Sequence, residues 1–137
     1  LDAVGGQGII LLDQSTDPFD PAAVRGSMGA LFSLELIKTS YVHFAEWKKF
    51  QQLPVIGASD KAARDYHYAV YPGRFVLLMG SERLGLQEHH LALCDQVVRI
   101  PMVGRSDSLN LAVATAIILY EVYNQWRDQE LSKSTHP

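Results

Sequence analysis

Three polar side chains are placed to do chemistry: Glu82, Ser108 and Asn110. Glu82 lies in GSERLG (80–85), directly after the apolar run FVLLM (75–79). Ser108 and Asn110 lie in VGRSDSLN (103–110), directly after VVRIPM (97–102). In open α/β sheets ligands bind outside the carboxyl ends of the strands, where such loops gather. Gly80, Gly85 and Gly104 would let the backbone come close to a ligand. Simpler readings stand beside these. Ser108 serves equally as the N-cap of the apolar helix that follows, and Glu82 as a solvated loop charge. Asn110 is harder to dismiss, because it is a weak helix former at the head of an apolar run. A buried amide there would need partners. Arg83 and Arg105 flank the two loops and suit phosphate contacts, or are ordinary surface charge.

Other chemistries find little support. His89 and His90 have no Cys or Asp at ligand spacing, so no metal site is expected. No GxxxxGK[ST] loop and no GxGxxG at a strand end is present, and GGQG (5–8) has the wrong spacing. Cys94, at the end of a short apolar helix, reads as a core thiol rather than a nucleophile. As the single cysteine it cannot form an internal disulfide, which favours a reducing compartment.

The elements that must position these residues alternate. Gly8–Asp13, a nearly continuous apolar run, reads as a buried strand of a parallel sheet, and Leu34–Thr39, Pro54–Ala58, Phe75–Met79 and Gln96–Ile100 read as further strands. Between them, Asp20 and Pro21 fit the N-cap and first position of a helix running from Ala22 to about Leu31, weakened by Gly26 and Gly29. His43–Gln52 is amphipathic through Phe44, Trp47 and Phe50. Lys61–Tyr68 is polar and aromatic, at most a helical turn, and Gln87–Cys94 a short helix. The longest helix is predicted from Ser108 to about Arg127. Strands alternating with helices imply an α/β fold with a mostly parallel sheet.

At 137 residues the chain is long enough for one domain with its own core. Apolar residues make up 47% of it, as in ordinary globular proteins. The net charge of −3 excludes a generally basic nucleic-acid coat but leaves room for a local basic groove. No apolar run reaches the roughly 18 residues of a spanning helix, so no membrane is expected. No charged leader with an apolar core opens the sequence. The stretch LDAVGGQG reads as if it begins in mid-element, as in a piece of a longer protein. The long helix is apolar almost all round from Leu109 to Val122, so one side is expected to meet a second copy, with Tyr123 and Trp126 extending the contact.

The motif GSERLGL (80–86) followed by IPMVGRSDSLNLAVATAIILYE (100–121) resembles motifs 2 and 3 of the SpoU (TrmH-like) RNA 2'-O-ribose methyltransferases of the SPOUT superfamily. DPFDPAAVRGSMGALFSLEL (17–36) is similar to the family's middle segment, so the likeness covers nearly the whole chain. The resemblance implies a mostly parallel sheet with flanking helices and a C-terminal trefoil knot, a rare exception to unknotted topology. It implies S-adenosyl-L-methionine as methyl donor, a homodimer through the C-terminal helix, a cytoplasmic enzyme, and tRNA or rRNA as substrate. Glu82, Ser108 and Asn110 match the polar catalytic positions of motifs 2 and 3. Backbone groups around Gly80, Ile100, Met102 and Leu109 match the cofactor pocket. Ala58, in the turn after the third strand, is expected to add a wall. Arg25, Arg83 and Arg105 are the candidates for RNA contact.

One departure bears on catalysis. The family's motif 1 carries an Asn and an Arg, the latter thought to act on the target hydroxyl, and the corresponding region would lie just before Leu1. The alternative function is therefore a SPOUT-like module that binds RNA or cofactor without turnover. A small-molecule α/β enzyme of another class is a third reading, for which no motif speaks.

Overall fold

The computed structural model describes residues 1–105 and 108–134. The chain divides into two compact units, Leu1–Gln51 and Gln52–Pro137.

In the first unit, β1 (Gly8–Leu12) pairs in parallel with β2 (Glu35–Thr39), Gly8 opposite Glu35 and Leu12 opposite Thr39. Both strands were legible as apolar runs. Helix α1 (Pro21–Gly26) starts as the sequence predicts: the Asp20 carboxylate accepts from Ala22 N at 2.8 Å and Pro21 occupies the first position. It stops earlier than expected. Gly29 takes a left-handed φ of 88°, and the chain resumes as a single tight turn at Ala30–Ser33. The helix ends at Gly26, the first of the two glycines, and left-handed backbone at Met28 (φ 50°) as well as at Gly29 keeps it from resuming. In α2 (Tyr41–Gln51) Phe44 is buried, at 5.7 Å from the half-exposed Trp47 ring, but Phe50 is 84% exposed. Steps of three residues fall behind the 3.6-residue turn, so the third aromatic has rotated off the packed face.

The second unit holds a four-stranded sheet in the order β4–β6–β3–β5. Its members are β3 (Val55–Ala58), β4 (Arg64–Asp65), β5 (Val76–Met79) and β6 (Gln96–Arg99). All four strands pair in parallel. The short edge strand β4 was not anticipated: its two residues sit in a polar stretch with no apolar run to mark it. Asp95 closes the start of β3 from the neighbouring strand's approach, with its carboxylate accepting from Val55 N at 2.8 Å and its own N–H donating to Val55 O at 2.8 Å. A short helix α3 (Glu88–Leu91) and the long α4 (Leu111–Ser134) complete the unit.

The core of this unit is Ile56, Ala69, Tyr71, Val98, Ile118 and Val122. Full burial of each large aliphatic side chain there contributes about 1.5–3 kcal/mol. The Tyr71 hydroxyl satisfies itself by donating to Tyr66 O at 2.8 Å. Burial, with Glu121 nearby, pushes that hydroxyl above the ordinary phenol range, so it stays a donor. Helix α4 is two-faced, in contrast to the all-round burial expected from its composition. Ile118 and Val122 are sealed in the core of their own chain, while Val113, Tyr120 and Tyr123 are 40–52% exposed. Ile118 therefore lies on the inner face and is not available to a second copy.

Candidate functional site

The three longer strands of the four-stranded sheet end nearly level. Ala58 of β3 lies opposite Met79 of β5 and opposite Val98 of β6. The loops that leave these strands therefore start side by side at one edge of the sheet. Ser59 N–H donates to Val98 O at 2.9 Å and holds the β3 turn against β6.

The loop after β5 is folded on itself. Gly85 N–H donates to Ser81 O at 2.8 Å, and Leu84 N–H donates to Ser81 Oγ at 3.2 Å. Gly85 sits at φ 61°, where a side chain is strained. A Cβ on Gly80 would collide with the backbone of Gly85 and Leu86. The sequence suggested that Gly80 leaves room for a ligand; the space is in fact taken by its own loop. Gln87 fixes the loop from outside. Its side-chain N–H donates to Leu84 O at 2.9 Å, while the same side chain caps α3 at the His90 N–H. Neither Ser81 nor Gln87 was singled out from sequence, although a polar residue at the head of a short helix is a capping signal. Behind the loop, Gly57 is packed so closely against Cys94 Sγ and Leu86 that a Cβ there would strike both. This agrees with Cys94 as a packing thiol.

The loop after β6 has a different character. Ile100 packs against the core and Met102 is half-buried, but Val103 is fully exposed, and among the described residues nothing stands within 4 Å of a Cβ built on Gly104. Ser108 and Leu109 resume the chain in exposed positions, two and one residues before Asn110.

Asn110 joins the two loops. Its Oδ1 accepts from Ala112 N at 2.9 Å and Val113 N at 3.3 Å, so Asn110, not Ser108, is the N-cap of α4. With Oδ1 turned to the helix, Nδ2 points outward and donates to Glu82 Oε1 at 3.3 Å. The polarity is consistent, since an ionised carboxylate only accepts. The amide is exposed rather than buried, but the expectation that it has partners holds on both of its ends. Glu82 is also exposed, and it sits by the helix N-terminus, where negative charge is favoured.

Ala58, Gly80, Glu82, Arg83, Ile100, Met102, Arg105, Ser108, Leu109 and Asn110 thus all belong to the second unit, Ala58 as the last residue of β3 and the others on the loops beyond the strand ends. Arg25 is on α1 of the first unit and exposed. Arg83 and Arg105 are exposed on their loops. Among the described residues no group of three or more His, Cys, Asp or Glu side chains suits a metal ion, and no helix is long and apolar enough to cross a membrane. Two concavities of about 350 and 250 Å³ lie on the first unit, beside Ile37 of β2. Neither contains any residue of the motif loops, and both are mainly apolar grooves without the convergent polar groups that chemistry requires.

A parallel α/β sheet with two motif loops meeting at a helix N-terminus defines a ligand-binding domain of the strand-end type. Residues 1–120 match the SpoU rRNA Methylase family, and the chain belongs to that family. Over 130 residues it is 34% identical to the 23S rRNA (uridine(2479)-2'-O)-methyltransferase of Streptomyces viridochromogenes, covering 90% of this chain and 45% of that protein. The crystal structure of the SpoU methyltransferase AviRb from Streptomyces viridochromogenes in complex with AdoMet superposes with a TM-score of 0.87 at 33% identity, over 93% of this chain and 53% of that one. The AdoMet-bound rRNA methyltransferase from Sinorhizobium meliloti gives 0.85 at 37% identity, over 90% and 48%. The chain spans about half the length of these relatives.

Proposed function

We propose that this chain is the methyltransferase domain of an enzyme that transfers a methyl group from S-adenosyl-L-methionine to a ribose 2'-hydroxyl of ribosomal RNA. The observation that carries this reading is the Asn110–Glu82 hydrogen bond, which ties the loop after β5 to the head of α4. Support comes from the relatives, two of them structures with AdoMet bound.

The residues present fit such a cofactor. Ile100 and Met102 offer apolar side chains and backbone groups for a flat, largely dry slot suited to an adenine ring. Among the described residues, Gly104 has no atom within 4 Å of where a Cβ would stand. Backbone groups of Gly80 and Leu109, with Ala58 at the end of β3, complete the proposed pocket. The bound cofactor supplies a methyl group activated on a sulfonium. The remaining work is alignment of the ribose oxygen with that methyl, and positioning of this kind supplies much of the rate. Glu82 and Asn110 hold each other in one geometry, so they can orient the ribose without first being ordered themselves. The Ser108 hydroxyl adds a donor and acceptor beside them. Removing the 2'-hydroxyl proton requires a base or a cation in contact with it. Arg25, Arg83 and Arg105 engage RNA phosphates.

The proposal extends to the fold and the assembly. The loops after β5 and β6 form a trefoil knot through which α4 leaves, as in the superfamily. The exposed face of α4, with Val113, Tyr120 and Tyr123, seats a second copy in an isologous contact. The Arg127 guanidinium lies 5.8 Å from the Tyr123 ring centre and borders that face. The enzyme acts in the cytoplasm, where its ribosomal substrate is found.

The test is a double-mutant comparison in the full-length protein. Glu82→Ala and Asn110→Ala should each lower methyl transfer to ribosomal RNA strongly, and the double variant should lose little more than either. Strictly multiplicative losses would show that the two residues do not act as one device.

A further inference from the structure

A second exposed surface of the same unit is built in a way that its packing does not require. The segment Lys61–Val70 follows the β3 turn and contains the edge strand β4. On it, Tyr68 is 76% exposed and Val70 71% exposed, and the His67 side chain is 61% exposed. The His67 and Tyr68 rings stand 5.2 Å apart, nearly edge to face. Exposed loop aromatics are usually mobile, but these are held from below. The His67 ring nitrogen Nδ1 contacts Glu121 Oε2 at 3.1 Å, and the His67 N–H donates to the Asp65 carboxylate at 2.9 Å. Gln125 Nε2 donates to Ala69 O at 3.0 Å and to Glu121 Oε1 at 2.8 Å. Trp126 Nε1 donates to Tyr71 O at 3.3 Å. The nearby carboxylates Asp65 and Glu121 are therefore spent on the segment's own bonds. Lys61 and Arg64 are exposed and, among the described residues, enter no ion pair.

We infer that this segment is a single-stranded RNA platform: Tyr68, backed by His67, stacks on an unpaired base, and Lys61 and Arg64 hold the adjoining phosphates. Rigid aromatic faces beside unpaired cations are what single-stranded nucleic acid binds without much sequence preference. The ordering cost is met in advance by α4, the same helix that carries Asn110 at its head. From Asn110 to Glu121 that helix rises about 16 Å at 1.5 Å per residue. A stacked strand covers this in about five nucleotides at 3.4 Å each. The platform thus grips RNA a few nucleotides from the ribose being methylated, and it selects targets whose flanking strand is unpaired. This rests on the proposed RNA methyltransferase reading.

The experiment uses the full-length protein, fluorescein-labelled oligouridylate and oligoadenylate for RNA affinity, and S-adenosylhomocysteine titration for the cofactor site. Tyr68→Ala should weaken RNA binding about five- to a hundredfold, more for the better-stacking adenylate, with cofactor affinity unchanged. Tyr68→Phe, which keeps the ring, should restore it. Lys61→Ala with Arg64→Ala should lower the slope of log affinity against log salt by about 1.4, at 0.7 per phosphate on a single strand. Wild-type RNA affinity in Tyr68→Ala, or a wild-type salt slope in the Lys61→Ala, Arg64→Ala double variant, would overturn the platform and leave the surface to a protein partner or to solvent. Absence of RNA binding by the wild type, with S-adenosylhomocysteine still bound, would overturn the RNA reading itself and the platform with it.

Discussion

Gly80 and Gly104 occupy similar places, each just beyond a parallel strand and each in a loop that carries an arginine, yet their surroundings are opposite. Gly80 is hemmed in by the backbone of Gly85 and Leu86, inside a loop closed by the Ser81–Gly85 pair and clamped by Gln87. Among the described residues nothing stands within 4 Å of a Cβ built on Gly104, and Val103 beside it is fully exposed. One loop is closed on its own backbone; the other, in its described part, leaves its glycine uncovered. A glycine-rich loop after a strand therefore carries two different demands that look alike in sequence: closure of the backbone on itself, and access for something else. The Glu82–Asn110 bond runs from the finished loop to the end of the open one. In this account the closed loop is the fixed wall against which the open loop and its ligand are set.

The largest effect that would break this contrast is at Gly80. Gly80→Val forces side-chain atoms into the Gly85–Leu86 backbone, and overpacking of this kind costs about 3 kcal/mol. In a domain of this size that lowers Tm by roughly 10 °C. Thermal unfolding measures it, and an unchanged Tm would show that the loop is not closed as described. Gly85→Ala should come next, because its left-handed backbone costs a side chain about 1–2 kcal/mol. The loss should appear in denaturant unfolding as a lower midpoint with the slope unchanged. Smallest is Gly104→Ala, within about 0.5 kcal/mol of wild type in stability. The same variant should nevertheless weaken S-adenosylhomocysteine binding in calorimetric titration, since it fills space that Gly80 never offered. If Gly104→Ala destabilises the fold as much as Gly85→Ala does, the two loops are not distinct in kind.

The longer strands were legible as apolar runs, the pattern a parallel sheet favours, although only β3 is buried nearly throughout and β2 leaves Ile37 half exposed. Asp20–Pro21 was legible because capping is local. The errors arose where the deciding partner is distant or the signal is mixed. Arg64–Asp65 forms a strand only because Val98 and Arg99 lie beside it. Asn110 was rightly marked, but its role as the cap went to Ser108, because both residue types cap helices and the apolar pattern begins at Leu109. Its second partner, Glu82, is 28 residues away, a distance at which no local rule operates. Which side of the apolar run Leu109–Val122 packs within its own chain, as Ile118 does, is invisible until the helix's neighbours are known. In Lys61–Val70 the polar residues and aromatics were visible, but not the hydrogen bonds from Gln125 and Trp126 that fix the segment.

The proposed activity is defined by the atom that receives the methyl group. The direct measurement is incubation of the full-length protein with unmodified ribosomal RNA and methyl-labelled S-adenosylmethionine, followed by alkaline hydrolysis and chromatography of the products. Methylation of a ribose 2'-oxygen removes the hydroxyl that alkaline cleavage needs. The account predicts label in alkali-resistant dinucleotides from one position, and its loss in Asn110→Ala. Label recovered in mononucleotides, as a methylated base, or equal transfer by Asn110→Ala would contradict it.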